Sequence, residues 1–130
     1  MAEYNFAGSN PITFKAGAAV PKYRMVKVGA AENEVIHTTA IADVALGVAL
    51  ETVASGEFVP VQILGIGKCV ASAAVTLGDK LMLTATGAGK VSTSAGAANE
   101  VGIALQAATA DGDVIMVALS VPNVERIANA

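Results

Sequence analysis

Few side chains in this sequence could do chemistry, and their spacing does not assemble them into a site. His37 is the only histidine and Cys69 the only cysteine, which leaves no basis for a multi-histidine metal site or a Cys-His nucleophile. The segment "TGAGKVST", residues 86–93, resembles a phosphate-binding loop. That motif needs Gly where Thr84 stands and Ser or Thr where Val91 stands, so it fails at two positions.

The carboxylates and the remaining glycine-rich segment have simpler explanations. Glu57, Asp111 and Asp113 lie beside glycine turns, where hydrogen bonds within the turn explain a carboxylate without catalysis. The segment "GIGK", Gly65 to Lys68, lacks the strand-to-helix context of a dinucleotide fingerprint and is interpreted as a hairpin turn. The sequence therefore predicts no enzyme, no cofactor and no metal.

Composition points to a protein that is covered by other polypeptides. The 130 residues suit a single domain, yet only 15% are charged and 54% are hydrophobic. The net charge is -3 and the eight Lys and Arg are scattered, which argues against a nucleic-acid partner. No apolar run is long enough for a membrane span, and one cysteine cannot form an intrachain disulfide. We expect the apolar surface to be buried against copies of the chain or a larger partner.

The elements that would position any site are short strands. Glycine and proline punctuate runs of Val, Ile, Thr and Ala, which predicts a mainly β fold. We expect a small barrel or sandwich with an extended N-terminal arm and at most a short helix, the best place for a helical turn being Cys69 to Asp79. "ASGE", "TGAG" and "ADGD" are predicted hairpin tips. The candidate strands are 23–28, 34–38, 44–53, 57–64, 80–85, 90–93, 100–107 and 113–120.

The chain also contains an internal two-fold repeat. "GVALETVASGEFVPV", from Gly47, returns as "GIALQAATADGDVIMV", from Gly102. Met25 matches Leu81 and Val35 matches Val91, each pair 56 positions apart. The halves cover about residues 22–64 and 78–120, and a period seen only twice favours one closed fold over a solenoid.

The last strand of each half is apolar on both faces, which an ordinary half-buried strand is not. In the second half Ile115, Val117 and Leu119 alternate with Val114, Met116 and Ala118. In the first half Pro60 lacks an N–H and is expected at a sheet edge or a bulge. A closed barrel explains one apolar face, and we expect another subunit to cover the second.

The chain divides into an arm at 1–17, a single β domain at 18–121 and a tail at 122–130. Tyr4, Phe6 and Phe14 hold three of the five aromatic rings in an arm without a strand-pairing signal. Such rings either dock on a partner or fold back on their own core. The candidate partner-binding residues are Tyr4, Phe6, Phe14, Phe58 and Met116.

Two alternative functions come from other classes. "AVTLGDKLML", residues 74–83, is similar to a hairpin of biotinyl and lipoyl carrier domains, in which case Lys90 would carry the modification. Gly89 and Val91 do not match the residues that flank the lysine in those families. A β module for adhesion or receptor binding is the other alternative.

Over about Phe14 to Val121 the chain resembles the head decoration, or capsid cement, proteins of tailed bacteriophages. The resemblance lies in the order and spacing of "YRMVKVG", "ADVALGVALETVASGEFVPVQILGIGKCVASAAVTLGDKLML", "GKVSTSA" and "EVGIALQAATADGDVIMVAL". It implies a compact β-rich protomer, commonly a trimer. Glu3 stands where a secretory signal would carry positive charge, so we expect assembly in the host cytoplasm. Such a trimer would sit on the outer face of the shell and clamp neighbouring capsomers of the major capsid protein.

Overall fold

The computed structural model describes residues 11–84, 89–94 and 100–122, and within them the chain is all β without a helix. The predicted mainly β fold is therefore confirmed. The ten strands are β1 (Ile12–Ala16), β2 (Met25–Val28), β3 (Glu34–His37), β4 (Gly47–Ala49), β5 (Phe58–Gln62), β6 (Ile66–Val70), β7 (Lys80–Leu83), β8 (Val91–Thr93), β9 (Glu100–Ala104) and β10 (Val114–Leu119).

The first five strands form a closed barrel in the order β1-β3-β2-β4-β5. Strand β1 closes it by pairing antiparallel with β5 and parallel with β3. Side chains on the inner side fill the barrel with small and β-branched residues, which suits its narrow interior. This barrel core contains Ala16, Val20, Val26, Val35, Ala49, Val53, Val59 and Val61.

The expectation that the arm carries no strand was wrong for residues 12–16. Strand β1 has period-2 alternation, because Phe14 and Ala16 face the barrel core while Thr13 and Lys15 face outward. Phe14 lies opposite Val59 and packs against the barrel core, so this ring folds back on its own domain. The alternation was present in the sequence, but a five-residue run between proline and glycine is a weak signal.

The other five strands form a second sheet in the order β6-β10-β9-β7-β8. The helical turn predicted at Cys69 to Asp79 was wrong, because Cys69 lies in β6 opposite Ile115 of β10. The interpretation of Gly65 to Lys68 as a hairpin turn was also wrong, since β5 and β6 belong to different sheets. Gly65, at φ 88°, turns the chain from the barrel into the second sheet.

The predicted hairpin tips agree with the antiparallel pairs. "ASGE" joins β4 to β5, and "ADGD" joins β9 to β10, with Gly56 and Gly112 at φ 90° and 98°. The "TGAG" segment joins the antiparallel pair β7 and β8, although residues 85–88 lie outside the described part of the chain.

The second sheet follows the connection pattern of the barrel, with β6 to β10 in the places of β1 to β5. Met25 pairs with Val48 as Lys80 pairs with Ile103. The parallel partners Ala16 and Val35 of the barrel have their counterpart in the bridge between Ala71 and Val91. When Val48 is aligned with Ile103, these strand pairings align Met25 with Lys80. The sequence analysis aligned Met25 with Leu81, so the two alignments differ by one residue. That the halves arose by duplication stays a prediction.

A second hydrophobic cluster joins the two sheets. Three barrel residues, Met25, Ala45 and Val48, are fully buried in the same cluster as the inner side chains of the second sheet. The amide of Met25 also donates a 2.9 Å hydrogen bond to the carbonyl of Gly89. The second sheet therefore packs on the outer surface of β2 and β4.

Candidate docking surface

The outer side of the second sheet carries a group of exposed apolar side chains on adjacent strands. In β10, Ile115 and Val117 point into the cluster between the sheets, so Met116 faces outward. Ile66 and Ile103 flank Ala118 from either side, and they are 38% and 45% exposed. We call this group the second-sheet outer face: Ile66, Ile103, Leu105, Val114, Met116 and Ala118.

The position of Met116 follows from strand pairing and from one side-chain contact. Strand β10 lies between β6 and β9, with Met116 opposite Lys68. The Met116 amide donates to the Gln106 Oε1 at 2.9 Å, and its carbonyl accepts from the Leu105 amide at 2.8 Å. The predicted two-sided apolar character of this strand is confirmed, since its outer side chains are only partly covered within the described chain.

The barrel has a smaller exposed apolar site at Phe58. This ring points outward from β5, opposite Lys15 of β1, and is 67% exposed. When β5 of the barrel is aligned with β10 of the second sheet, Phe58 corresponds to Val114, which lies two residues from Met116. The structure thus places Phe58 and Met116 outward on corresponding strands of the two sheets. Tyr4 and Phe6 lie outside the described residues.

A group of cations around an aromatic ring was missed by the sequence analysis. The Nζ atoms of Lys22 and Lys68 lie 4.9 and 5.8 Å from the centroid of the Tyr23 ring. Tyr23 has a left-handed φ of 64°, and its carbonyl accepts from the Val70 amide at 3.2 Å, which ties the barrel to β6. Because Lys22 and Lys68 are far apart in the sequence, no local pattern indicated that they would meet.

The carboxylates of Glu57 and Asp113 accept hydrogen bonds from backbone amides of their own turns, as the sequence indicated. The Glu57 Oε1 accepts from the Ala54 amide at 2.8 Å. Hydrogen bonds from the amide and hydroxyl of Thr109 lower the pKa of Asp113, and the Ala110 amide contributes in the same direction. These carboxylates are thus engaged in local structure.

The residues that could do chemistry are kept apart. Burial raises the pKa of the Cys69 thiol to about 12, so the reactive thiolate is not formed near neutral pH. His37 is half-buried, and its Nδ1 lies 3.2 Å from the Thr38 carbonyl oxygen. Within residues 11–84, 89–94 and 100–122, no three His, Cys, Asp or Glu side chains come together as a metal site would require.

Lys90 does not have the environment of a carrier lysine. Its Nζ lies 2.7 Å from the Asp111 Oδ1, and the side chain is only 17% exposed. A lysine that receives a large prosthetic group must present a free amine to a modifying enzyme, whereas this ion pair holds the amine beside the β9–β10 turn. The geometry does not favour the carrier alternative.

Comparison with known proteins decides the family. The model for phage cement proteins matches residues 7–119, which is most of the chain. The chain belongs to the phage cement protein family. It is therefore a phage structural protein that associates with the capsid, as the resemblance noted above implied. No curated protein matches this sequence.

A solved structure shows the same fold. This cement-family chain is similar to the N base of the head fiber gp8.5 in bacteriophage phi29, with a TM-score of 0.72 and 20% sequence identity. The likeness covers 90% of this chain and 98% of that one. Among the described residues, the structure contains no helix of the length and apolarity needed to cross a membrane.

Proposed function

We propose that this protein decorates the outer surface of a phage capsid and stabilises the shell by clamping neighbouring capsomers of the major capsid protein. It does so as a homotrimer and without catalysis. The observation that carries the proposal is the second-sheet outer face, where five large apolar side chains on or beside paired strands remain partly exposed. Contiguous apolar surface of this kind generally marks a protein interface.

Phe58 and Met116 are the contact residues best supported by the described structure. Each points outward from the final strand of its sheet, so one chain presents two similar sites. Two sites on one rigid protein can hold two capsomers together, because the second contact forms at a raised effective concentration. Tyr4 and Phe6 are proposed as further anchors, and Phe14 supports the arm by packing on the barrel core.

Binding to shells tests the proposal directly. Purified protein is added to capsids that lack it, and we measure occupancy by cryo-electron microscopy and shell melting by calorimetry. We expect saturable binding and a higher melting temperature. Phe58→Ala and Met116→Ala should each lower occupancy, while Thr13→Ala, on the outer side of β1, serves as the matched control. Absence of binding by the folded wild-type protein would refute the proposal.

The contribution of the arm requires a deletion that spares the barrel. Removing residues 2–14 would destroy β1, which closes the barrel, so the deletion must end at residue 10. We expect the protein lacking residues 2–10 to keep its fold and to bind shells more weakly. A folded deletion variant with undiminished occupancy would show that Tyr4 and Phe6 do not contribute to shell binding. Binding to host glycans by the isolated protein would instead favour the adhesion alternative.

A further inference from the structure

The two outward apolar residues of the proposed contact sites each have a lysine as their strand partner. Phe58 of β5 lies opposite Lys15 of β1, and Met116 of β10 lies opposite Lys68 of β6. Side chains that are directly opposite in an antiparallel pair project from the same face of the sheet, about 5 Å apart at Cβ. Each site therefore presents an ammonium group beside an apolar side chain.

The two pairs are alike in chemistry although they do not occupy equivalent positions. In the alignment of β5 with β10, the equivalent of Phe58 is Val114, whose partner in β6 is Val70. Met116 and Lys68 lie two residues away from that pair, and a step of two residues keeps a side chain on the same face of a strand. The two halves thus present the same combination of side chains at different places, which their similar strand order does not by itself require.

The carboxylate nearest in register to Lys15 is engaged elsewhere. Among the described residues, both ion pairs use other lysines. Glu34 is the partner of Lys15 in the parallel pair of β1 and β3, but its Oε1 accepts from the Ala30 and Ala31 amides at 3.1 and 3.2 Å. The β2–β3 turn thus holds this carboxylate. The exposed ammonium group of Lys15 is available to a partner.

The ammonium group of Lys68 lies beside an aromatic ring and a second cation. The Nζ atoms of Lys68 and Lys22 are 5.8 and 4.9 Å from the centroid of the Tyr23 ring. Neither lysine is ion-paired within the part of the chain that the structure describes. Two ammonium groups near one ring repel each other, and a carboxylate placed beside them would offset that repulsion.

A third lysine on the second sheet has a different setting. Lys80 lies opposite Ile103, which is 45% exposed, so it too stands beside an apolar side chain. Glu100 lines the same depression as Lys80 and partly offsets its charge. Lys80 therefore serves as a control for the lysines beside Phe58 and Met116.

We propose that each site binds a segment of the major capsid protein in which a carboxylate lies next to an apolar side chain. The apolar side chain packs on Phe58 or Met116, and the carboxylate faces Lys15 or Lys68. Complementary charge at the border of an apolar contact fixes its register and disfavours a segment with a cation there. The net charge of -3 disfavours a polyanion such as nucleic acid. The inference rests on the proposed function and names the chemistry of its partner.

The likeness of the two sites also bears on how the clamp is arranged. Neighbouring capsomers contain copies of the same major capsid protein, so they present the same segments. A chain with two sites of like chemistry can bind one such segment in two neighbouring copies, and the second contact then forms at a raised effective concentration. Two unlike sites would instead need two different segments of the shell.

Neutralising the lysines tests the inference on shells that lack the protein. We measure the binding of wild type, Lys15→Gln, Lys68→Gln and the double variant in low and in high salt. In low salt each single variant should bind about threefold more weakly and the double variant about tenfold, as expected for exposed ion pairs. High salt should remove these differences. Lys15→Arg with Lys68→Arg should keep the wild-type affinity, and the control Lys80→Gln should do the same.

Capping the shell tests whether the partner group is a carboxylate. Carbodiimide coupling to glycinamide converts exposed carboxylates of the shell into neutral amides. In low salt the wild type should bind capped shells about tenfold more weakly, whereas the double glutamine variant should lose little further affinity because it lacks both ammonium groups. Shells with acetylated lysines are the control and should bind the wild type at least as tightly as untreated shells. This experiment uses the wild type, so it does not depend on the folding of a variant.

Three results would overturn the inference. These are a double variant with wild-type affinity and salt dependence, an effect confined to one of the two lysines, and capped shells that bind the wild type as tightly as untreated ones. Lysine-dependent binding to duplex DNA, with none to shells, would overturn it as well. Shell binding that ignores the lysines contradicts the inference and leaves decoration standing, whereas a folded wild type that binds no shell refutes both.

Discussion

At the scale of single residues, the most constrained positions are the two glycines that open the repeated segments. A Cβ on Gly47 would overlap the Gln62 carbonyl oxygen, and one on Gly102 would come within 2.5 Å of the Ala118 carbonyl oxygen. The obstacle is backbone in both cases, so it cannot turn away as a side chain would. The glycine of "GVAL" and "GIAL" is thus required by close strand approach, which the sequence alone did not indicate.

Gly102→Ala should destabilise the fold by about 3 kcal/mol, because the added methyl group forces β9 and β10 apart. Gly112→Ala is the comparison: its Cβ would meet nothing within 4 Å, and only the left-handed φ of 98° opposes it. That strain costs about 1 kcal/mol. Urea unfolding measures both values, and equal losses would contradict the close contact at Gly102.

Cys69 should make stability fall at alkaline pH. The unfolded thiol ionises near its ordinary pKa of 9.0, while the buried thiol keeps its proton up to a pKa of about 12. Above pH 9 the unfolded chain therefore binds fewer protons than the folded one, and each pH unit costs about 1.4 kcal/mol of stability. Unfolding of wild type and Cys69→Ala between pH 8 and 11 isolates this contribution. Parallel pH profiles for the two proteins would show that Cys69 is not buried.

At the scale of elements, the sequence predicted the strands with strong local signals and missed those defined by distant partners. Strands β5 and β10 have long apolar runs with a glycine turn before each, so they were found. Strand β1 closes the barrel and β6 is an edge strand of the second sheet, and their antiparallel partners β5 and β10 are far away in the chain. Pro60 was expected at an edge, yet β5 pairs on both sides. The carbonyl of Pro60 accepts from the Leu50 amide opposite it, just beyond the end of β4, and an N–H at Pro60 would point to Leu50 as well. Proline therefore removes one bond at the place where β4 ends.

The candidate site was predicted only in part, for a related physical reason. Alternation in β10 placed Met116 outward, and the exposed position of Phe58 follows from the same period. The contact between the two sheets could not be found in this way, because it depends on which outer surface of the barrel the second sheet covers.

Gln62 should prove essential to the link between the sheets. It is almost fully buried, and its Nε2 donates to the carbonyls of Leu64 and Ile66, each at 2.9 Å. Gln62→Ala leaves two carbonyl oxygens without this donor and should destabilise the protein by about 3 kcal/mol. Gln106→Ala, which removes one exposed acceptor, should cost less than about 1 kcal/mol. A similar loss for the two variants in thermal unfolding would mean that the link does not depend on Gln62.

At the scale of the whole molecule, two observations point to a subunit of a larger assembly: few charges, and an apolar outer face on the second sheet. Phe58 and Met116 lie outward on the last strand of each half, so one chain presents two contact sites.

These two sites predict that shell binding falls in steps. Phe58→Ala and Met116→Ala each remove one of two linked contacts, so each variant should bind shells at least about tenfold more weakly, because the remaining contact no longer benefits from a raised effective concentration. The double variant should bind more weakly than either single one. Light scattering should give all three variants the oligomeric mass of the wild type, which places the loss at the shell contact and not in assembly. A double variant that binds shells as well as the single ones would mean that Phe58 and Met116 do not contact the shell at two separate places.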